Sequence, residues 1–236
     1  MKHHFLHISD LHYRKGWPEQ TQLVCDRFFS DLTSQKEKYP DAHLIFSGDL
    51  VQAGGDPGLY AEFLKDFDER LNKVGFPFDR RICIPGNHDI SRAALGPNVT
   101  MQQGALSVMK DETTFNNNLA KLSKTFFSET FKGYIECETK FARFTCCAAN
   151  LGGTGHELSG GVGVYCLNTA LCSFGGLEDS EGTKINDKGH LSVDTRSLYQ
   201  WLHENKSDTR ILVLHHPLDS LVEWARDELN DLARVV

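Results

Sequence analysis

Short apolar runs alternate with longer amphipathic stretches over the first ninety residues. HFLHIS, residues 4–9, reads as a strand that stops at Asp10. Residues 19–38 place Leu23, Val24, Phe28 and Leu32 on one side of a predicted helix that ends before Pro40. AHLIFSG is the next strand. A helix then opens with Asp56 as N-cap and Pro57 in its first turn, and Gly75 closes it. Its apolar stripe is Tyr60, Phe63, Leu64, Phe67, Leu71 and Val74. RRICIPG follows as a third strand. Strands alternating with helices predict an α/β fold, a sheet covered by helices.

The pattern changes after residue 90. Residues 91–133 are polar and Asn-rich, with a predicted helix at 119–127, and read as a lid inserted over the strand ends. Residues 134–175 return to short β-like runs divided by glycines, and the glycine-rich part lacks the GK[ST] ending of a P-loop. A helix at about 194–205, the strand RILVL and a last helix from 219 complete the chain.

Composition narrows the class. With 236 residues the chain fits one large domain over 1–236 better than two small ones. A net charge of −7 gives no sign of a surface made to coat nucleic acid. The seven cysteines have no paired spacing and several sit in apolar runs, as free thiols do in a reducing cytosol. The N-terminal apolar stretch is broken by His7 and Asp10, which is unlike a signal peptide. A cytoplasmic protein without a membrane span is the expectation.

Four clusters stand directly after predicted strands, where α/β sheets place their sites. They are Asp10-Leu-His12, Gly48-Asp49, Gly86-Asn87-His88-Asp89 and His215-His216-Pro217. Carboxylate, imidazole and amide oxygen suit Mn²⁺, Fe²⁺, Zn²⁺ or Mg²⁺. Asp10 and His12 project to one side if the chain stays extended there. Asp49 has two oxygens and could bridge two ions. His88 adjoins a ligand and could serve as general acid, with Asp89 orienting its ring. Singly, each Asp could be a cap or turn former and each His a strand end. The four together carry chemistry.

HISDLH, FSGDLV, IPGNHD and VLHHP resemble, in order and spacing, the D-x-H, G-D, G-N-H-D and H motifs of the calcineurin-like metallophosphoesterases. The resemblance runs from residue 5 to residue 217 and implies a two-layer β-sandwich flanked by helices. It implies Asp10 and His12 on a first metal ion, Asp49 bridging, Asn87 and His215 on a second, and His88 as catalytic acid. His216 is left as a second contact or a structural residue, and His156 as a solvated loop histidine. The family's final G-H-x-H is missing, since no histidine follows His216. The resemblance thus implies a chain lacking C-terminal strands, supplied by a further region of a longer protein. HISDLH and HHP resemble most the branch acting on small or cyclic nucleotides, which implies a phosphodiesterase. A nuclease of the same superfamily, and a binding module that keeps the fold without turnover, are the alternatives.

Overall fold

In the computed structural model, the described residues are 2–16, 18–95, 111–122, 124, 127–174, 182, 184 and 186–235. Three parallel strands form the first sheet in the order β1 (Phe5–Ile8), β2 (His43–Ser47), β3 (Arg81–Ile84). Helix α1 (Glu19–Lys38) makes the first crossover. The second is α2 (Pro57–Phe63), a π-helical segment Leu64–Asp68 and α3 (Glu69–Lys73). After the single turn Arg92–Leu95 come helices α4 (Glu112–Leu122) and α5 (Ser128–Phe141). The second sheet has β5 (Val162–Leu167) at its centre, antiparallel to β4 (Gly153–Leu158) and parallel to β6 (Thr209–Val213). Helix α6 (Thr195–Glu204) leads into β6, and α7 (Glu223–Val235) closes the chain.

The sheets meet where β3 packs against β5. Ile82, Cys83 and Ile84 lie in one buried cluster with Val164 and Cys166, and Phe63, Phe67 and Phe141 join it from the helices. A second apolar cluster places Tyr165 and Leu167 against Leu198 of α6 and Leu229 of α7. Two sheets in a common core, clad by helices, make the expected α/β layering.

Local chemistry explains most element ends. Asp56 accepts the Gly58 N–H at 2.9 Å and starts α2 beside Pro57. Gly75 takes φ +87° after α3, where a Cβ would be strained. Helix α1 spans the expected residues but turns a different face inward. Cys25, Phe29 and Leu32 are buried, while Leu23 and Val24 are more than half exposed. Packing against Phe67 decided the rotation, which a polar sequence with scattered apolar residues leaves open.

Residues 134–141 correct the β reading. They are the second half of α5, with Phe131, Tyr134, Cys137, Glu138 and Phe141 all buried on one side. That spacing is helical, and the β-favouring aromatic residues concealed it. In the 91–133 segment, residues 96–110, 123, 125 and 126 fall outside the described residues, and with them part of the helix expected at 119–127. Helix α4 sets Phe115 beside Trp224 of α7 and gives the Asn116 carbonyl to Arg196 of α6.

Arg81 ties the first sheet to its helices. Its buried guanidinium donates to the carbonyls of Phe76 (2.8 Å) and Phe141 (3.0 Å), to Asn72 Oδ1 (2.9 Å) and to the Asp68 carboxylate. One side chain thereby fixes β3, the π segment and the end of α5 together.

Candidate metal centre

Parallel pairing brings the C-terminal ends of β1, β2 and β3 side by side, and it continues into the loops. Asp10 N donates to Gly48 O at 3.2 Å, His12 N to Asp49 O at 2.8 Å and Tyr13 N to Leu50 O at 2.9 Å. Among the described residues, Asp10, His12 and Asp49 are the non-glycine residues with positive φ, at +57°, +47° and +55°. The Asp10–His12 segment is therefore not extended. Left-handed backbone, which costs an L-residue about 1–2 kcal/mol, turns both side chains inward.

The glycines of the motifs make room for this. A Cβ on Gly48 would lie 2.4 Å from His215 Nδ1, and one on Gly86 would lie 2.1 Å from Asp49 Oδ1. No side chain fits between these loops.

Asp49 sits at the centre, almost fully buried. Its Oδ1 accepts the His88 N–H at 2.8 Å. Its Oδ2 faces His12 Nε2 at 3.5 Å on one side and His215 Nε2 at 3.7 Å on the other. The donor atoms of His12, Asp49 and His88 lie within 4.8 Å of one another, as do those of Asp10, Asp49 and His215. Asn87 Oδ1 is 3.3 Å from His215 Nε2. Asp10 Oδ1 is also 3.7 Å from His12 Nε2, so its carboxylate stands between the two groups.

Chemistry of the donors tests whether divalent cations fit. His215 Nδ1 lies 2.7 Å from the Ser47 carbonyl, which can only accept, so Nδ1 carries the proton. In the neutral ring Nε2 then points a lone pair at Asp49 Oδ2 and Asn87 Oδ1, two further acceptors. Acceptors facing acceptors are what a cation would hold together. Donors about 2.1 Å from one ion stand about 3.0–3.4 Å apart, close to the separations seen. His12 Nδ1 is buried and has no hydrogen-bond partner among the described residues. The residues offer two sets of donors, joined at Asp49, that suit divalent cations.

His88 has its own support. Its Nδ1 lies 3.0 Å from Gln52 O and 3.2 Å from Gln52 Nε2, which leaves Nε2 free. Sequence adjacency suggests Asp89 as the group that orients this ring, and the structure corrects that. The Asp89 carboxylate is fully buried and accepts N–H bonds from Gly86 (2.9 Å), Leu50 (3.2 Å) and Val51 (3.2 Å). Tyr60 donates to its backbone carbonyl at 2.7 Å. Asp89 bolts the G-D loop to the G-N-H-D loop. Burial pushes its carboxyl up to about 7, the three N–H donors oppose the rise, and the Asp49 carboxylate adds to it.

His216 Nδ1 lies 3.0 Å from Thr169 Oγ1, and its ring stands edge-on to that of His215 with centroids 4.7 Å apart. Burial, then the neighbouring His215, lowers its pKa to about 3, which keeps the ring neutral at neutral pH. His156 is not a solvated loop residue: it lies on β4 with Nε2 2.6 Å from the Thr145 carbonyl. Gln52, Tyr60, Thr169 and the Ser47 carbonyl escaped the sequence reading. Gln52 and Thr169 lie outside the four motifs, Tyr60 reads as a core residue, and a backbone carbonyl leaves no residue-type signal.

Among the described residues no helix is long and apolar enough to cross a membrane. No curated protein matches the chain. A family model described as calcineurin-like phosphoesterase matches residues 3–235. With four motifs folded onto one set of strand ends and that match covering nearly its whole length, the chain belongs to the calcineurin-like phosphoesterase family.

Proposed function

We propose that this chain is a metal-dependent phosphodiesterase, with Asp10, His12, Asp49, Asn87 and His215 as metal ligands. The placement of Asp49 Oδ2 between His12 and His215 carries this reading, because one carboxylate shared by two donor groups is the core of a dinuclear site. Two divalent cations, when bound there, supply the positive charge that draws in a phosphate and acidifies a water. The protein aligns the substrate and supplies the proton. Gln52 O holds the His88 ring by its Nδ1–H, so it is the imidazolium form whose Nε2 carries a second proton to give to the leaving oxygen. The ester P–O bond breaks as the water oxygen bonds to phosphorus, and the water's proton goes to solvent. Neutral Asn87 contributes an oxygen without adding charge against the phosphate. All seven cysteines are buried free thiols, which supports a reducing, cytoplasmic setting.

A nuclease acting on a longer substrate remains the second reading within the same chemistry, and it needs a basic groove from a further region of the protein. The test is hydrolysis of bis(p-nitrophenyl) phosphate with added Mn²⁺, by the wild type and by Asp49→Ala, with bound metal counted in both. Metal-dependent turnover, lost in the variant together with the bound ions, is the expected result. Fewer than one ion per wild-type chain and no turnover would instead favour a binding module that keeps the fold.

A further inference from the structure

The hollow beside His88 carries a charge that the hydrolytic scheme leaves unused. Gln52, Gly54, Gly55, Asp56, His88 and Arg92 line a cleft of about 450 Å³. Its base is two loops pressed backbone to backbone. Gly54 N donates to His88 O at 2.8 Å, and a Cβ on Gly54 would meet Asp89 O at 2.1 Å. The cleft and the His88 ring are thereby fixed relative to each other.

Two ionisable side chains besides His88 belong to this wall. Asp56 is engaged as the cap of α2. Arg92 begins the single turn after the G-N-H-D loop, is exposed, and has no carboxylate within salt-bridge distance among the described residues. Hydrolysis of a phosphoester with inversion places the incoming water and the leaving oxygen on opposite sides of phosphorus. His88, given the leaving oxygen above, also lines this cleft, so the cleft is the adjoining space that a leaving alcohol could use. A volume near 450 Å³ lies within the range of small-molecule sites, about 300–1,000 Å³, and is more than a methyl or phenyl ester needs. Arg92, one of its lining residues, bears a guanidinium, a planar pair of donors suited to phosphate or carboxylate.

We propose that Arg92 is a specificity-determining residue that selects phosphodiesters whose leaving alcohol carries a second anionic group. This rests on the phosphodiesterase reading and on His88 facing the leaving side. A terminal phosphate on a nucleotide fragment and a carboxylate on a small conjugate share the chemistry that Arg92 recognises.

Two chromogenic diesters separate these ideas: methyl 4-nitrophenyl phosphate and methyl 3-carboxy-4-nitrophenyl phosphate. The ratio of their kcat/KM values is compared between proteins, so their intrinsic reactivities cancel. Relative to Arg92→Gln, the wild type is expected to favour the carboxylated ester by about tenfold, mainly through KM. Arg92→Lys keeps part of that preference and Arg92→Glu reverses it. An unchanged ratio in Arg92→Gln and Arg92→Glu overturns the proposal. Calorimetric binding of the two free nitrophenols gives a second readout that needs no turnover. If the wild type hydrolyses neither ester with Mn²⁺, the phosphodiesterase reading fails, and this binding decides the rest. Tighter binding of the carboxylated phenol that disappears in Arg92→Gln keeps the anion site alone. Equal binding in both proteins removes it as well.

Discussion

Positive φ at Asp10, His12 and Asp49 ties function to strain. Each gives up backbone energy to aim a donor inward, and without cations the buried Asp49 also faces the carboxylate of Asp89. His12→Gly removes the strain at one position and is expected to raise the stability of the metal-free protein by up to about 1 kcal/mol. The same variant should bind less metal. Urea unfolding in chelator against unfolding in Mn²⁺ checks both halves, and a loss of stability in chelator would contradict the strain account. His88 presents a sharper choice, since it stands within reach of His12 and Asp49 and a ring that binds a cation has no proton to donate. As a general acid it should matter little for a nitrophenyl ester and about 10²-fold or more for an alkyl ester. Rates of His88→Gln on both esters, with metal content alongside, distinguish the roles. Equal losses together with a lost ion would make His88 a ligand.

Elements are held in place by buried polar groups as well as by apolar packing. Arg81 serves β3, the π segment and α5 at once, with no exposure to water. Arg81→Leu leaves two carbonyls and the Asp68 carboxylate without their donor, and should cost about 3–5 kcal/mol. Chemical denaturation measures it. A loss under about 1 kcal/mol would show that water or a shifted side chain replaces the guanidinium. Glu138 plays the matching part for α5, accepting the N–H groups of Cys146 (3.0 Å) and Cys147 (2.9 Å). It therefore sets the entry into the second sheet. Helix α5 also shows where reading the sequence failed at this scale: a run of Phe, Tyr, Ile and Cys is compatible with strand or helix until its neighbours choose.

The stability of the whole molecule should depend on pH through Glu138. Burial raises its carboxyl to about 7, against a lowering by the Cys146 and Cys147 N–H bonds. The folded state thus keeps its proton in a range where the unfolded chain has lost it. This contribution is complete below about pH 4.5 and shrinks as pH rises to about 7, by up to about 1.4 kcal/mol per pH unit. Wild-type stability should fall between pH 5 and pH 8 by more than that of Glu138→Gln, as read from urea midpoints. Parallel declines would remove Glu138 from the account. Cations act on the same scale, because the candidate donors from four strand ends come together only in the folded chain. Saturating metal at about 100 times its dissociation constant should stabilise the fold by about 2.7 kcal/mol, and a chelator should remove that gain.

Much of this was legible in the residues alone. Short apolar runs ending in Asp, Gly-Asp, Gly-Asn-His-Asp and His-His gave the strands, their ends and the side chains that meet in the cluster, because parallel strands gather their C-terminal ends in one place. Asp56, Pro57 and Gly75 marked helix ends, because caps act on neighbours a few residues away. Long-range packing settled what local chemistry could not. It chose the buried face of α1, made residues 134–141 a helix, and turned Asp10 and His12 inward by left-handed backbone. It also joined Asp89 to the N–H groups of Leu50 and Val51, gave the His88 ring to Gln52, and set Arg92 on the wall of the cleft. Those contacts link residues far apart in the chain, or depend on backbone angles and carbonyls that residue type does not encode. Sequence named the groups proposed to carry the chemistry; the folded loops decided which of them face one another.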